Sequence, residues 1–194
     1  MKLKVFDICR EGTHVLGPGN RYVIWTQGCP HKCPGCITPE SHDPEDGIEL
    51  DSNDIAADII LNEKIQGITV SGGEPFLQAS SLTKLLGIVR EYRPELTVII
   101  YTGYRLSELH GVKDGERLME LADVIIDGRY ISSEDDNRGI RGSRNQKIHH
   151  LTPRLKAFEE FMETCERKQS RILIREGQCT KIGVPEGNGE VKNE

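Results

Sequence analysis

Cys29, Cys33 and Cys36 stand in the run Trp-Thr-Gln-Gly-Cys-Pro-His-Lys-Cys-Pro-Gly-Cys, a C-x3-C-x2-C spacing. Three thiolates on one tight loop are one short of closing a metal site. Iron–sulfur clusters are usually held by four Cys. A 4Fe–4S cube held by three leaves one iron without a protein ligand. An open metal position invites a substrate or cofactor, by the logic that separates catalytic from structural zinc. Pro30, Pro34 and Gly35 suit a bend that turns all three sulfurs one way. Zinc is the alternative. Its fourth ligand would have to be His31, His42 or Cys9, and none completes a familiar paired C-x2-C spacing. Structural disulfides fit less well, because the chain reads as cytosolic.

A second run carries the argument further. Ser71-Gly72-Gly73-Glu74-Pro75 follows Gly67-Ile68-Thr69-Val70, which reads as a buried strand. Two glycines at a strand end let a ligand approach the backbone. Glu74 adds a carboxylate, an acceptor suited to an ammonium group. Alone, Gly-Gly-Glu is weak, since a strand-to-helix turn also explains it. Placed about 35 residues after the cysteine loop, it is strong. The pair resembles the radical S-adenosylmethionine (SAM) enzymes. In that superfamily the amino and carboxylate groups of SAM chelate the open iron, and the Gly-Gly-Glu segment binds the amino group.

Strand and helix patterns alternate around these motifs. Leu3 to Ile8 alternates as a half-buried strand does. Gly17-Pro18-Gly19-Asn20 is a turn cluster. Arg21 to Thr26 is a strand that delivers the chain into the cysteine loop. Asp51 or Ser52 caps a helix with apolar face Ile55, Ala56, Ile59 and Ile60. After the Ile68–Val70 strand, Ser80 or Ser81 caps a helix bearing Leu82, Leu85, Leu86 and Val89. Leu96 to Tyr101 and Asp123 to Asp127 read as buried strands, with a helical stretch at Gly115 to Leu121 between them. Residues 128–150 read as one long polar loop, and such loops are more often functional than decorative. Thr152 and Pro153 open a helix whose Leu155, Phe158 and Met162 face the core. Arg171 to Arg175 and Gln178 to Ile182 read as a hairpin or edge strands, and Glu186 to Glu194 as a frayed end.

This alternation predicts an α/β fold with a parallel sheet. A full (β/α)8 barrel needs about 250 residues. At ~30 residues per unit, 194 residues leave room for about five or six units. The expectation is a partial, open barrel over residues 1–151. Residues 152–194 form a helix, hairpin and tail on the same domain. An open side admits a loop of another protein.

The resemblance narrows with further runs. Gly17-Pro18-Gly19, Cys-Pro-Gly-Cys, Tyr101-Thr102-Gly103-Tyr104, Asp127-Gly128-Arg129-Tyr130 and Arg141-Gly142-Ser143-Arg144-Asn145-Gln146 are similar to the small glycyl-radical activating enzymes. Within that group their order resembles the activators of anaerobic (class III) ribonucleotide reductase, over roughly residues 3–151. Glu74 stands where those activators often have Asp; both are carboxylates.

The resemblance implies a cofactor pair, a 4Fe–4S cluster and SAM. The reduced cluster cleaves SAM to methionine and a 5′-deoxyadenosyl radical. That radical takes a hydrogen atom from a backbone Gly of a partner enzyme, here an anaerobic ribonucleotide reductase. An electron donor of flavodoxin or ferredoxin type is implied as well. Cys29, Cys33 and Cys36 ligate iron; Gly35, Cys36 and Ile37 touch the adenine; Gly72, Gly73 and Glu74 hold the amino group. Thr102 and Asp127 end two strands, where ligands collect in parallel α/β folds, though turn chemistry explains them equally well. Arg129 meets the SAM carboxylate, the partner, or neither. Arg138, Arg141, Arg144 and Lys147 put positive charge on the long loop, for partner or SAM contact. Two other functions stay open: a radical SAM enzyme acting on a small molecule or ribosomal peptide, and a non-catalytic iron–sulfur or zinc module.

Composition sets the outer bounds. A net charge of −6 argues against general nucleic-acid binding. No apolar run approaches the roughly 20 residues a bilayer requires, and the first residues carry no signal-peptide pattern. The expectation is a cytoplasmic protein with reduced thiols. Cys9, Cys165 and Cys179 are scattered singly and assigned to packing.

Overall fold

A computed structural model describes residues 1–166 in full, and residues 171–175 and 178–182 as backbone. The strands are β1 (Lys2–Thr13), β2 (Arg21–Thr26), β3 (Ile48–Asp51), β4 (Gly67–Gly72), β5 (Thr97–Tyr101), β6 (Val124–Asp127) and β7 (Lys147–His150). They form one seven-stranded sheet in the order β3-β1-β2-β4-β5-β6-β7. The helices are α1 (Ser52–Leu61), α2 (Ala79–Tyr92), α3 (Gly115–Leu121) and α4 (Glu159–Thr164). A separate hairpin pairs β8 (Arg171–Arg175) with β9 (Gln178–Ile182). The fold is mixed α/β.

Four neighbouring strands, β2, β4, β5 and β6, run parallel. The sequence left room for five or six βα units. The difference lies at the edges, where β1, β3 and β7 each pair antiparallel with a neighbour. Chain length explains β1: residues 14–20 are too few for a crossover, and antiparallel strands need none. The end of the long 128–150 loop is itself a strand, β7, paired residue for residue with β6. Its sequence, Lys-Ile-His-His, carries no alternating signal, and β3, Ile-Glu-Leu-Asp, alternates over only four residues, none of them fully buried.

The two faces of the sheet have separate cores. Tyr22, Ile24, Ile68, Val70, Val98 and Ile100 pack against α1, α2 and α3 through Ile59, Leu82, Leu86 and Leu118. At ~1.5–3 kcal/mol per buried aliphatic side chain, this is the dominant stabilising layer. On the opposite face, Val23 and Trp25 pack with Cys9, while Ile99, Val124 and Ile126 pack with Ile140, Leu155 and Met162.

Arg21 opens β2 at the N-terminal edge of the parallel strands and is fully buried. Its Nε donates to Thr69 Oγ1 at 2.7 Å, Nη1 to Pro18 O and Thr97 Oγ1, and Nη2 to Ile68 O at 2.6 Å and Thr97 O. Burial pushes its pKa down to about 10. Below pH 10 the group is charged both folded and unfolded, so its cost is constant; stability from this group rises only above about pH 10, where the folded guanidinium loses its proton before the unfolded one.

Three local expectations change. Ser80 and Ser81 lie inside α2 and do not cap it: Ser81 donates to Lys2 O at 2.6 Å and Ser80 to Asp114. A 3-10 turn, Pro75–Gln78, runs straight into α2 and removes the need for a serine cap. Asp51 does cap α1, accepting from Asn53 N at 2.9 Å. Thr152 and Pro153 open a 3-10 turn, Pro153–Phe158, before α4. Leu155 and Met162 are buried as expected, but Phe158 is 46% exposed. It sits at the junction of the two helix types, where the change of phase turns it outward. The expected frayed end at 186–194, and the side chain of Cys179, lie outside the described residues. No helix among the described residues is long and apolar enough to cross a membrane.

Candidate metal and cofactor site

The C-terminal ends of the parallel strands build the site. Parallel register places Thr26 of β2 opposite Gly72 of β4. Beyond those residues the two chains stay bonded. Gly73 N donates to Thr26 O at 2.7 Å, and Glu74 N to Gly28 O at 2.8 Å. The Gly-Gly-Glu segment is therefore stitched by backbone to the stretch that enters the cysteine loop. The other side is held as well: Gly28 N donates to Ser41 O and Cys29 N to His42 O.

This stitching explains the glycines. Gly72 has φ +95°, a region disfavoured for other residues. A Cβ on Gly73 would lie 2.4 Å from Gly28 O and 2.9 Å from Ser41 O, both backbone atoms that cannot swing aside. Gly73→Ala is expected to push the cysteine loop off β4 and lower stability by roughly 2–3 kcal/mol, in the range of overpacked sites. Urea unfolding measures that loss, and iron content after reconstitution measures the effect on the loop.

Cys29, Cys33 and Cys36 are reduced and half-buried. All three line a single cavity of about 190 Å³, together with Gly72, Gly73 and Thr102. Burial pushes the Cys29 and Cys36 thiols up. Backbone N–H groups of His31 and Lys32 oppose this at Cys29, and Thr38 opposes it at Cys36. Such donors favour a thiolate, the form that binds metal. Among the described residues, no three His, Cys, Asp or Glu groups converge on one metal-ion position.

Glu74 lies behind the cavity wall and is fully buried. Its Oε1 accepts from Phe76 N at 3.0 Å and Thr102 Oγ1 at 2.8 Å. Its Oε2 accepts from Gly103 N at 2.8 Å and lies 3.2 Å from His31 Nε2. Thr102 and Glu74 are thus brought together, one at the end of β5 and one after β4.

The remaining expected residues scatter around this centre. Ile37 lines the cavity and is 40% exposed at its rim. Gly35 turns the loop with φ +73° beside Ser132. Asp127 stands off the cavity, accepting from Leu106 N at 2.7 Å and lying 3.1 Å from His149 Nε2. Arg129 is exposed.

The Arg-Gly-Ser-Arg-Asn-Gln run acts as a clamp. Gln146 accepts from Gly142 N and Ser143 N and donates to Gly128 O at 2.7 Å. Asn145 donates to Arg129 O, and Ser143 Oγ accepts from Ile131 N. These bonds hold Gly128 and Tyr130 as a cavity wall. Arg141 is tied to Asp136 at 3.0 Å within the loop, whereas Arg144, Arg138 and Lys147 are exposed.

Sequence reasoning missed Trp25, Tyr101, Tyr130 and Gln146 as cavity lining. Alternation along β2 and β5 could have flagged Trp25 and Tyr101, since each continues the inner face of its strand. Tyr130 and Gln146 stand in the Asp-Gly-Arg-Tyr and Arg-Gly-Ser-Arg-Asn-Gln runs, which mark their segments but not their place in the lining.

Comparison with known proteins agrees with the geometry. Residues 15–149 match the family model described as a 4Fe-4S single cluster domain. The anaerobic ribonucleoside-triphosphate reductase-activating protein of Escherichia coli K12 is 34% identical over 151 residues, spanning 71% of this chain and 92% of that protein. The Haemophilus influenzae protein of the same name is 34% identical over 146 residues, with 71% and 92% covered. The bacteriophage T4 protein of that name is 30% identical over 138 residues, with 69% and 86% covered. The crystal structure of E. coli QueE overlaps 63% of this chain and 68% of its own at a TM-score of 0.43 and 16% identity, too distant to bear on the site. With its cysteine loop and Gly-Gly-Glu segment joined over one cavity, the chain belongs to the 4Fe–4S family of anaerobic ribonucleoside-triphosphate reductase-activating proteins.

Proposed function

We propose that the chain is a cytoplasmic radical SAM activase that installs a glycyl radical on an anaerobic ribonucleotide reductase. One observation carries this reading: three thiols and the Gly-Gly-Glu segment, bonded to each other through backbone, open onto one cavity at the C-terminal ends of parallel strands. Ligands collect at that end of parallel α/β sheets. Cys29, Cys33 and Cys36 would hold the cluster. When bound, the reduced cluster supplies the electron that cleaves SAM to methionine and a hydrogen-abstracting 5′-deoxyadenosyl radical.

The protein's own part is placement and shielding. Gly72 and Gly73 bring bare backbone to the cavity wall for the methionine end of SAM. The buried Glu74 carboxylate puts negative charge behind that wall, where an ammonium group belongs. Ile37 offers apolar surface for the adenine, and Thr102 anchors Glu74. Tyr130 and the Gln146 clamp close one side against water.

The parallel strands are read as an open, partial barrel, with residues 1–151 as core and 152–194 as an extension of the same domain. Packing of Leu155 and Met162 on Ile126 supports that division. Exposed Arg129, Arg144 and Lys147 near the cavity suit docking of a partner loop. A flavodoxin- or ferredoxin-type protein would deliver the electron.

The test is anaerobic. Reduced protein, SAM and the cognate reductase should release methionine and 5′-deoxyadenosine and give a glycyl-type doublet in the electron paramagnetic resonance (EPR) spectrum of the reductase. Arg144→Ala should lower the radical yield at limiting protein and leave iron content unchanged, because exposed charges act mainly on association. Repeated turnover of a small molecule or peptide, with no radical on any reductase, would overturn the activase reading.

A further inference from the structure

We propose that His31 is a positioning residue: it fastens the Cys29–Cys33 span to Glu74 and so fixes where the thiolates stand. The proposal rests on the reading of Cys29, Cys33 and Cys36 as iron ligands. It goes beyond that reading by assigning the residue that holds their loop in place.

The loop needs such an anchor. Lys32 has φ +46°, the left-handed region that residues with a Cβ seldom occupy. Strained conformations of this kind persist only where the surroundings over-determine them. Lys32 itself is exposed, so the restraint falls on its neighbour. The same turn aims the backbone N–H groups of His31 and Lys32 at the Cys29 sulfur. A shift of residue 31 therefore moves both the thiolate and its donors.

His31 is held from three directions. Its side chain is only 5% exposed, and Nε2 lies 3.2 Å from Glu74 Oε2. Its ring meets Tyr104 edge-on, with centroids 4.6 Å apart. Its Cδ2 fills the place a Cβ on Gly103 would take, 2.3 Å away. Glu74 is a rigid post for this bond. Its other partners, Phe76 N, Thr102 Oγ1 and Gly103 N, all donate and sit at the ends of β4 and β5. The fourth place on the carboxylate suits a donor too, which makes Nε2 the protonated ring nitrogen. A nitrogen so engaged is not a metal ligand. The chain of contacts runs from the sheet through Glu74 and His31 to Cys29. Outer-shell bonds of this kind orient metal ligands, and their loss typically costs 10–100-fold in metal affinity.

The test compares His31→Gln, His31→Asn and His31→Leu with the unaltered chain. Gln carries an amide N–H at about the reach of Nε2; Asn carries the same group one methylene shorter; Leu keeps bulk without a donor. Each is reconstituted anaerobically. Iron and sulfide per chain, the EPR spectrum of the reduced cluster, and the rate of iron loss to a chelator are measured. His31→Leu and His31→Asn should lose iron roughly tenfold faster or more, with broadened EPR lines. His31→Gln should stay close to the unaltered chain. Adding Glu74→Gln to His31→Leu should cost less than the two single changes summed, since both cut one link.

Equal iron loss from the Leu variant and the unaltered chain would overturn the proposal. So would a Gln variant as labile as Leu, which would leave ring packing as the whole role. Should the Leu variant fail to fold, the Gln–Asn comparison decides. None of these readouts needs SAM or a reductase, so failure of the activase reading does not disturb them. An unaltered chain that takes up no iron would overturn the metal reading and this proposal with it.

Discussion

Alanine in place of Cys29, Cys33 or Cys36 will reduce the iron of the anaerobically reconstituted chain from about four per polypeptide to near zero, given a cube with one thiolate per ligated iron. Among the described residues, no fourth cysteine lines the cavity. The three thiols share one cavity, and the nearest imidazole of the loop, His31, is engaged with Glu74. Losing one thiolate leaves two irons open and two remaining anchors on a strained loop. Radical formation on the reductase should vanish in the same variants. Cys9→Ala is the contrast. Cys9 is fully buried with Val23 and Trp25 in an apolar cluster, so its loss should lower stability by about 1 kcal/mol, as for a small buried group, and leave iron unchanged. Cys165, half-buried beside the Ile126 cluster, should behave the same way. Iron and sulfide analysis with urea unfolding separates these outcomes. A single-cysteine variant of the loop that keeps four irons would remove the ligand assignment.

Arg21→Ala is expected to destabilise the fold by roughly 3–5 kcal/mol, since each buried acceptor left without its donor costs about 1–3 kcal/mol. Arg21 bridges β2, β4 and β5 at the end of the sheet opposite the cysteines, through Thr69, Ile68 and Thr97, and ties down Pro18. Removing it orphans several buried carbonyl and hydroxyl oxygens and opens a void. Gly17 shows how tightly the side chain is packed, since a Cβ there would come within 2.9 Å of Arg21 Cδ. Arg21→Lys should recover only part of the loss, because an ammonium cannot reproduce the planar fork. Stability of both variants in urea, at pH 7 and pH 9, gives the answer. The deficit should be the same at both, because the native guanidinium stays charged until about pH 10. A loss below 1 kcal/mol for Ala would mean that the bonds are replaced by water at negligible cost.

The extent to which residues declared themselves depended on the range of the interaction. Cys29, Cys33 and Cys36, proposed to hold the cluster, and Gly72 and Gly73, proposed to face SAM, stand out in the sequence. Metal ligation and close backbone approach demand particular residue types at particular spacings. The parallel strands and their helices were legible too, because burial imposes a period on apolar residues. The clamp role of Arg141–Gln146 was not. A motif shows that a segment matters, but its bonds to Gly128 and Arg129 form only when β7 pairs with β6.

Tertiary structure alone decided the direction of β1, the pairing of the short edge strands β3 and β7, and the place of Arg21. Edge pairing is fixed by connection length and neighbouring hydrogen bonds, which leave little trace in a short run. Tertiary structure also decided where Glu74 points. From sequence it is a carboxylate after two glycines. In the fold, Phe76 N, Thr102, Gly103 N and His31 enclose it from three separate stretches of chain. The sequence by itself determined what chemistry the site can hold, because ligand type is a property of single residues. How Glu74 is held beside that site had to wait for the fold, because a buried carboxylate is directed by donors that only folding brings together.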